Sequence, residues 1–362
     1  MAGATFSMKA QLHLLLAAIV TAVAAGSIAG GCAPEQNAMT SDDSNLLCKV
    51  GYHPYFYHNG DTYYFTNEGF ALDICFKRDR DIHDIRNSRD SMILTLPDSL
   101  GRIYAPELHR IRDRWYIYFE ADDGVNTDLH RIFVYENPDK DPFTQNWTLH
   151  GPVITNDGFN FGIHPTVIEI KEKLYMLWSG WPSRRTETEV QCIYIAEMAD
   201  PFTLRSKRVA ISTPEYEWER QWINFNGNRP TYPIFVNENP QAVVSPDGRN
   251  VVVFYSASAV WTCYACTGML HASTGSNLLD PKSWTKSPEP VFQTAEADST
   301  TIYNTVVVNG DTPGQYYLTY TARRVVDDSF EVIDTRYTNL TWTEASLPRI
   351  PREFKYRSLH QQ

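Results

Sequence analysis

One spacing recurs along this chain and limits what it can fold into. Pro54, Pro106 and Pro165 are each followed ten residues later by a tyrosine, Tyr64, Tyr116 and Tyr175, and each tyrosine lies inside an aromatic run. Pro240 leads in the same way to Val251–Ser256, and Tyr303–Asn304 leads to Tyr316–Tyr320. Polar turns separate the two halves of each unit: His58–Asp61, Arg112–Arg114, Lys171–Lys173, Ser245–Gly248 and Asn309–Asp311. Each unit therefore reads as a polar residue at or near a Pro, a strand, a hairpin turn and an aromatic strand. Five such units, about fifty to seventy-five residues apart, leave room for two more strands each. The expected fold is all-β, a five-bladed β-propeller over 48–351 as one domain, which removes most sheet edges by radial repetition.

In a propeller the inner strands run along a common axis, and their starts converge on one mouth of the channel. That gathers His53, Glu107, His164, Glu238 and the Tyr303/Asn304 pair from five units into one polar cleft. Trp181 and Trp261 are candidates to stack on a ligand or to pack in the core. Trp115, Tyr116 and Tyr175 read as core. Asp122–Asp123 resembles a calcium loop only weakly.

Composition agrees with a globular chain and excludes several partners. Lys plus Arg number 32 against 43 Asp plus Glu, a net charge of −11 without a basic block. Nucleic acids and anionic membranes both need a cationic face, so neither is expected as a partner. Near the N-terminus, Lys9 precedes an apolar stretch over Leu12–Ala25. That stretch is shorter than the ~20 residues a membrane span needs and suits a secretory signal over 1–25. An extension over 26–47 and a tail over 352–362 flank the repeats. Cys32 resembles a lipoprotein acylation site that lacks the usual Leu. The even count of 6 Cys in an exported chain favours disulfides, with fifteen pairings open. Cys263 and Cys266 have redox-motif spacing but no His pair or second motif beside them, and read as structural. Asn146 and Asn339 begin glycosylation sequons.

The ordered segments Ile103–His109, Trp115–Gly124, His130–Arg131, Leu177–Trp181, Val236–Gln241 and Tyr255–Ser258 resemble glycoside hydrolase family 43, in particular its exo-acting α-L-arabinofuranosidase branch. The resemblance implies inverting hydrolysis of glycosidic bonds by three acids: a base before the first-unit Pro, a tuning acid opening the third unit and a proton donor in the fourth. It implies arabinose- or xylose-containing plant polysaccharides as partners, arabinan or arabinoxylan among them. Glu238 matches the proton donor. The base position is His53 and the tuning position is His164, where the family has Asp. The family's axial His, often near a calcium ion or water, is matched by Tyr303, so no cofactor is expected. Glu107, Trp181 and Tyr303 remain as substrate-binding candidates.

These departures set the functional expectation. An imidazole differs from a carboxylate in charge, size and acceptor number. Two lost anions leave a cationic transition state less stabilised, and two protonated His would oppose it. Fewer anions should also lower the pKa of Glu238 and weaken it as an acid. Weak or lost hydrolysis follows. Two alternatives stay open: an active α-L-arabinofuranosidase with His53 as base and Glu238 as acid, or a metal-binding propeller using His53, His164, Glu107 and Glu238.

Overall fold

The computed structural model describes residues 44–49, 52–69, 73–155, 161–183, 189–223, 232–293, 300–327 and 330–351. The expected signal over 1–25, Cys32, most of the 26–47 extension and the 352–362 tail lie outside the described residues. The chain is all-β, with only four single-turn 3-10 helices among the described residues. No helix among them is long and apolar enough to cross a membrane.

A short strand, β1 (Leu46–Cys48), precedes the repeats. A meander of four follows: β2 (Tyr55–Asn59), β3 (Thr62–Glu68), β4 (Asp73–Asp79) and β5 (Ser91–Thr95). A second meander holds β6 (Gly101–Ile111), β7 (Arg114–Asp122), β8 (Arg131–Asn137) and β9 (Thr148–Val153). The third is β10 (Ile163–Ile170), β11 (Lys173–Gly180) and β12 (Glu189–Asp200), with β13 (Thr203–Leu204) and β14 (Val209–Ser212) pairing with β12. β15 (Arg220–Ile223) pairs with the opening strand of the fourth, β16 (Tyr232–Val244), which continues through β17 (Asn250–Ala257), β18 (Cys266–Ser273) and β19 (Thr285–Lys286). The fifth runs β20 (Thr300–Asn309), β21 (Tyr316–Asp327), β22 (Phe330–Trp342) and β23 (Pro348–Arg349). A parallel pairing of Glu189–Gln191 on β12 with Ile234–Val236 on β16 joins the third and fourth units into one ten-stranded sheet. β1 adds to β22, so residues from the two ends of the described chain share a sheet.

The opening strands meet in sequence. β2 touches β6, β6 touches β10, β10 touches β16, β16 touches β20, and β20 returns to β2. Asn304 Nδ2 on β20 donates to the Pro54 carbonyl at 3.0 Å. The second strands are buried nearly end to end because neighbouring sheets cover both faces, and their sequences lose the alternation of a half-exposed strand. One interface places Tyr64, Phe76 and Leu94 against Leu108, Trp115 and Phe119. Each such side chain contributes roughly 1.5–3 kcal/mol on leaving water. Trp115, Tyr116 and Tyr175 are core residues, as expected.

The prolines mark bulges. The ladder between first and second strands slips at Tyr104/Glu107, Ile163/Thr166, Glu238/Gln241 and Tyr303/Val306. Each slip contains a non-glycine residue at positive φ: Ala105 at 48°, His164 at 51°, Asn239 at 52° and Asn304 at 51°. His53, at 46°, holds the same place ahead of β2. These five are thus the equivalent positions. Glu238 and Tyr303 stand one residue earlier and Glu107 two residues later, a finer register than the sequence pattern gives. Bulges of this kind re-aim side chains, and strained backbone persists only where surroundings hold it.

The expected disulfides are not formed by Cys48, Cys75, Cys192 and Cys266, which are free thiols. They lie on β1, β4, β12 and β18, each in a different meander, and Cys192 and Cys266 pack inside separate apolar clusters. Burial pushes both of those thiols up, which keeps them unreactive.

Candidate active site

Antiparallel pairing returns the end of each second strand to the start of the first. That brings Glu68, closing β3, and Glu120, near the end of β7, to the level of the bulges. Five buried titratable side chains meet there. His53 Nδ1 lies 2.9 Å from Glu68 Oε1. The His53 and His164 rings lie 4.8 Å apart between centroids. His164 Nδ1 is 3.7 Å from Glu238 Oε2, and its Nε2 is 3.6 Å from Glu120 Oε1. The backbone N–H of His164 donates to Glu120 Oε2. Glu238 is 1% exposed, and its Oε1 accepts the Val260 backbone N–H at 2.9 Å. The Tyr104 ring stands edge-on to His53, with centroids 6.0 Å apart.

Three buried polar atoms in this group have no hydrogen-bond partner: His53 Nε2, His164 Nδ1 and Glu68 Oε2. Buried polar atoms are costly to leave unpaired, so three together mark a place where hydroxyls or water bind. With Nδ1–H of His53 donated to Glu68, the neutral imidazole carries its lone pair on Nε2.

The electrostatics differ from expectation. Burial pushes Glu238 up to about 7, against the Val260 hydrogen bond and the charge of His53. Desolvation thus sets the Glu238 value and holds it above that of a free Glu. Burial also raises Glu120 to about 8, against the charge of His53 and the His164 N–H. Burial works to lower His53, but the Glu68 charge and hydrogen bond, with Glu120 and Glu238 beyond, raise it overall. Burial, with the charges of His53 and His130, holds His164 well below its ordinary value. The two imidazoles thus shift in opposite directions, where the sequence allowed for both to be protonated. Glu68 and Glu120 add two carboxyls beside them.

The other candidates lie apart. Glu107, 3% exposed, accepts from Gln241 Nε2 on one oxygen and sits 3.1 Å from His109 Nε2 on the other. It does not share contacts with His53, His164 and Glu238. Trp181 is 3% exposed, stacks on Phe161 at 3.8 Å and donates from Nε1 to Glu189 Oε1 at 3.2 Å. One face of its ring is thus covered, while Glu189 lies close enough to Glu238 to raise its pKa. Tyr303 is buried on β20 opposite Thr321, beside the bulge residue Asn304. Trp261, one residue after the Val260 that holds Glu238, is 37% exposed. Among the described residues no three His, Cys, Asp or Glu side chains form a group able to hold a metal ion. Glu107, the fourth residue of the candidate metal set, is turned to Gln241 and away from His53, His164 and Glu238. Asp122 is engaged by the Gly124 N–H at 2.6 Å and by the Arg102 side chain rather than forming an open ion loop.

A buried, desolvated carboxyl beside a hydrogen-bonded imidazole, at bulges repeated through an all-β chain, has the character of a carbohydrate-active enzyme site. The chain belongs to the glycosyl hydrolases family 43, whose family model matches residues 49–347. It is 35% identical over 240 residues to the extracellular exo-α-(1→5)-L-arabinofuranosidase of Streptomyces chartreusis, covering 65% of this chain and 68% of that one. It is 29% identical over 358 residues to α-L-arabinofuranosidase B of Pyricularia oryzae, covering 94% and 70%. Among solved structures, an α-L-arabinofuranosidase from Lactobacillus brevis superposes with a TM-score of 0.71 at 29% identity, over 84% of this chain and 95% of that one.

Proposed function

We propose that this is an exported five-bladed propeller of family 43 that takes α-L-arabinofuranosyl groups of arabinan, arabinoxylan or related oligosaccharides into the His53–His164–Glu238 pocket, and that hydrolyses them weakly. The cyclic contact of the five opening strands supports the propeller. The apolar Leu12–Ala25 stretch and an extracellular relative support export. The unpartnered His53 Nε2, His164 Nδ1 and Glu68 Oε2 around Glu238 carry the reading of a sugar pocket.

In the reaction, Glu238 gives its proton to the leaving glycosidic oxygen, a role its raised pKa suits. In this reading His53 Nε2, in place of a carboxylate, takes the proton from the attacking water. It can do so only when neutral, and its pairing with Glu68 raises the pH at which that holds. Glu238, with a pKa of about 7, is protonated only up to that region. The further the pairing with Glu68 raises His53, the less the two required states overlap. In this reading that mismatch is what limits turnover.

The second reading, an efficient enzyme with the His53–Glu68 pair as base, is favoured by the free Nε2. Turnover of 4-nitrophenyl α-L-arabinofuranoside from pH 5 to 9, in wild type and Glu238→Gln, separates the two. The weak-enzyme reading expects low, narrow activity that depends on Glu238. Broad, fast turnover abolished by His53→Ala would establish the second.

A further inference from the structure

One buried carboxyl has no part in the chemistry above. Glu120 lies two residues before the end of β7, is 2% exposed and reaches across to β10. The β10–β11 ladder is interrupted between Ile163 and Thr166, so the His164 N–H falls at the bulge. A buried amide N–H is costly to leave without an acceptor, and Glu120 Oε2 accepts it. The same residue holds φ at 51°, a conformation that a β-carbon disfavours and that needs external support. The other oxygen, Oε1, lies 3.6 Å from His164 Nε2, while His164 Nδ1 points at Glu238 Oε2 from 3.7 Å. His164 is thus held between two carboxyls from two different sheets.

The geometry points to Glu120 as a positioning residue: through the bulge amide and the ring of His164 it fixes the imidazole against which Glu238 presents its proton. This rests on the reading of Glu238 as the donor and names the device that aims it. The groups facing Glu120 are His53, Glu68, Tyr104, His164 and Glu238, and His130 adds its field at His164. Because burial raises Glu120 to about 8, it is a neutral acid below that pH. A carboxamide then reproduces its shape and its acceptor oxygen. Glu120→Gln should act as a conservative replacement and Glu120→Ala should not.

The test needs no turnover. The His164 backbone amide and the Glu238 side-chain carboxyl are followed by NMR from pH 5 to 9 in wild type, Glu120→Gln and Glu120→Ala. In wild type the His164 amide should shift with a midpoint near 8 as its acceptor ionises. Glu120→Gln should keep the low-pH position and lose that step. Glu120→Ala should displace the amide at every pH and move the Glu238 titration. If Glu120→Ala does not fold, the presence or loss of the step in Glu120→Gln decides. An unchanged amide and unchanged Glu238 titration in Glu120→Ala would overturn the inference, as would a Glu120→Gln variant as perturbed at pH 6 as Glu120→Ala. Turnover indifferent to Glu238→Gln, with the amide step intact, counts against Glu238 as donor and not against the hold on His164.

Discussion

Glu68 Oε1 accepts from His53 Nδ1 at 2.9 Å, so the residue proposed as the base carries its own carboxylate partner from the neighbouring strand of the same sheet. The pair resembles the hydrogen-bonded imidazoles of acid–base sites, in which the far nitrogen is the working one. Here its strength works against the chemistry, since stabilising the imidazolium removes the lone pair at low pH.

Replacing Glu68 by Gln should lower the His53 pKa, because the charge that raises it is gone. The sign for stability follows. His53 has a folded value above its ordinary 6.5, so its stabilisation is fully present below about 6.5 and is lost as pH rises through the raised folded value. Glu68→Gln should cost about 1–3 kcal/mol at pH 5 and less at pH 9. Thermal unfolding at the two pH values checks this; an equal loss at both would contradict it.

Glu238 and Glu120 should make the fold weaker as pH rises. Both bind protons more tightly in the folded chain than a free Glu, so unfolding releases protons and stability falls from about 4.5 upward, to about 7 for Glu238 and about 8 for Glu120. Glu238→Gln should flatten this part of the profile by on the order of 3 kcal/mol. Denaturant midpoints across pH 4 to 9 in wild type and Glu238→Gln measure it, and two parallel profiles would rule it out.

Restoring the family acids needs a third change. His164→Asp would set a carboxylate against Glu120 and within reach of Glu238, and like charges packed together cannot all ionise. His53→Asp with His164→Asp should therefore gain less activity than the triple variant that also carries Glu120→Gln, which removes the charge and keeps an acceptor for the residue-164 amide. A base contributes typically ~10²–10⁴-fold, which bounds the gain. Initial rates on 4-nitrophenyl α-L-arabinofuranoside rank the variants, and a double variant equal to the triple one would show that Glu120 is no obstacle.

A fourth outcome concerns the scaffold alone. A β-carbon on Gly268 would lie 2.1 Å from Tyr255 Cζ, at the end of the ring whose hydroxyl donates to Glu219. Gly268→Ala should cost about 1–3 kcal/mol or more through overpacking and displacement of that hydroxyl. A melting temperature within a degree of wild type would refute it.

The repeat and three members of the site could be read from sequence because a proline follows the bulge residue in four of the five units. His53 and His164 adjoin such a proline and Glu238 stands two residues before one. Glu68 and Glu120 carry no motif. They end second strands, and only antiparallel return brings those ends beside the first strands' starts. An acid closing the second strand of a unit was the available signal. Glu107 misled because it also adjoins a proline, yet two residues past the bulge the pleat turns it toward Gln241 and His109. Desolvation was not legible at all, since it depends on how sheets close over Glu238.

Residues 46–48 complete the sheet of 330–342, with Asn45 Oδ1 accepting from Arg336 Nη1 at 2.7 Å across 291 positions. On a ribosome adding ~5–20 residues per second, the early strand waits roughly 15–60 s for its partner. Over that interval its backbone donors and acceptors are open to other chains, and the rest of the sheets stand as an unlatched row. A lesion in either short stretch should therefore produce the same phenotype, premature aggregation during synthesis, although the two are coded almost three hundred codons apart.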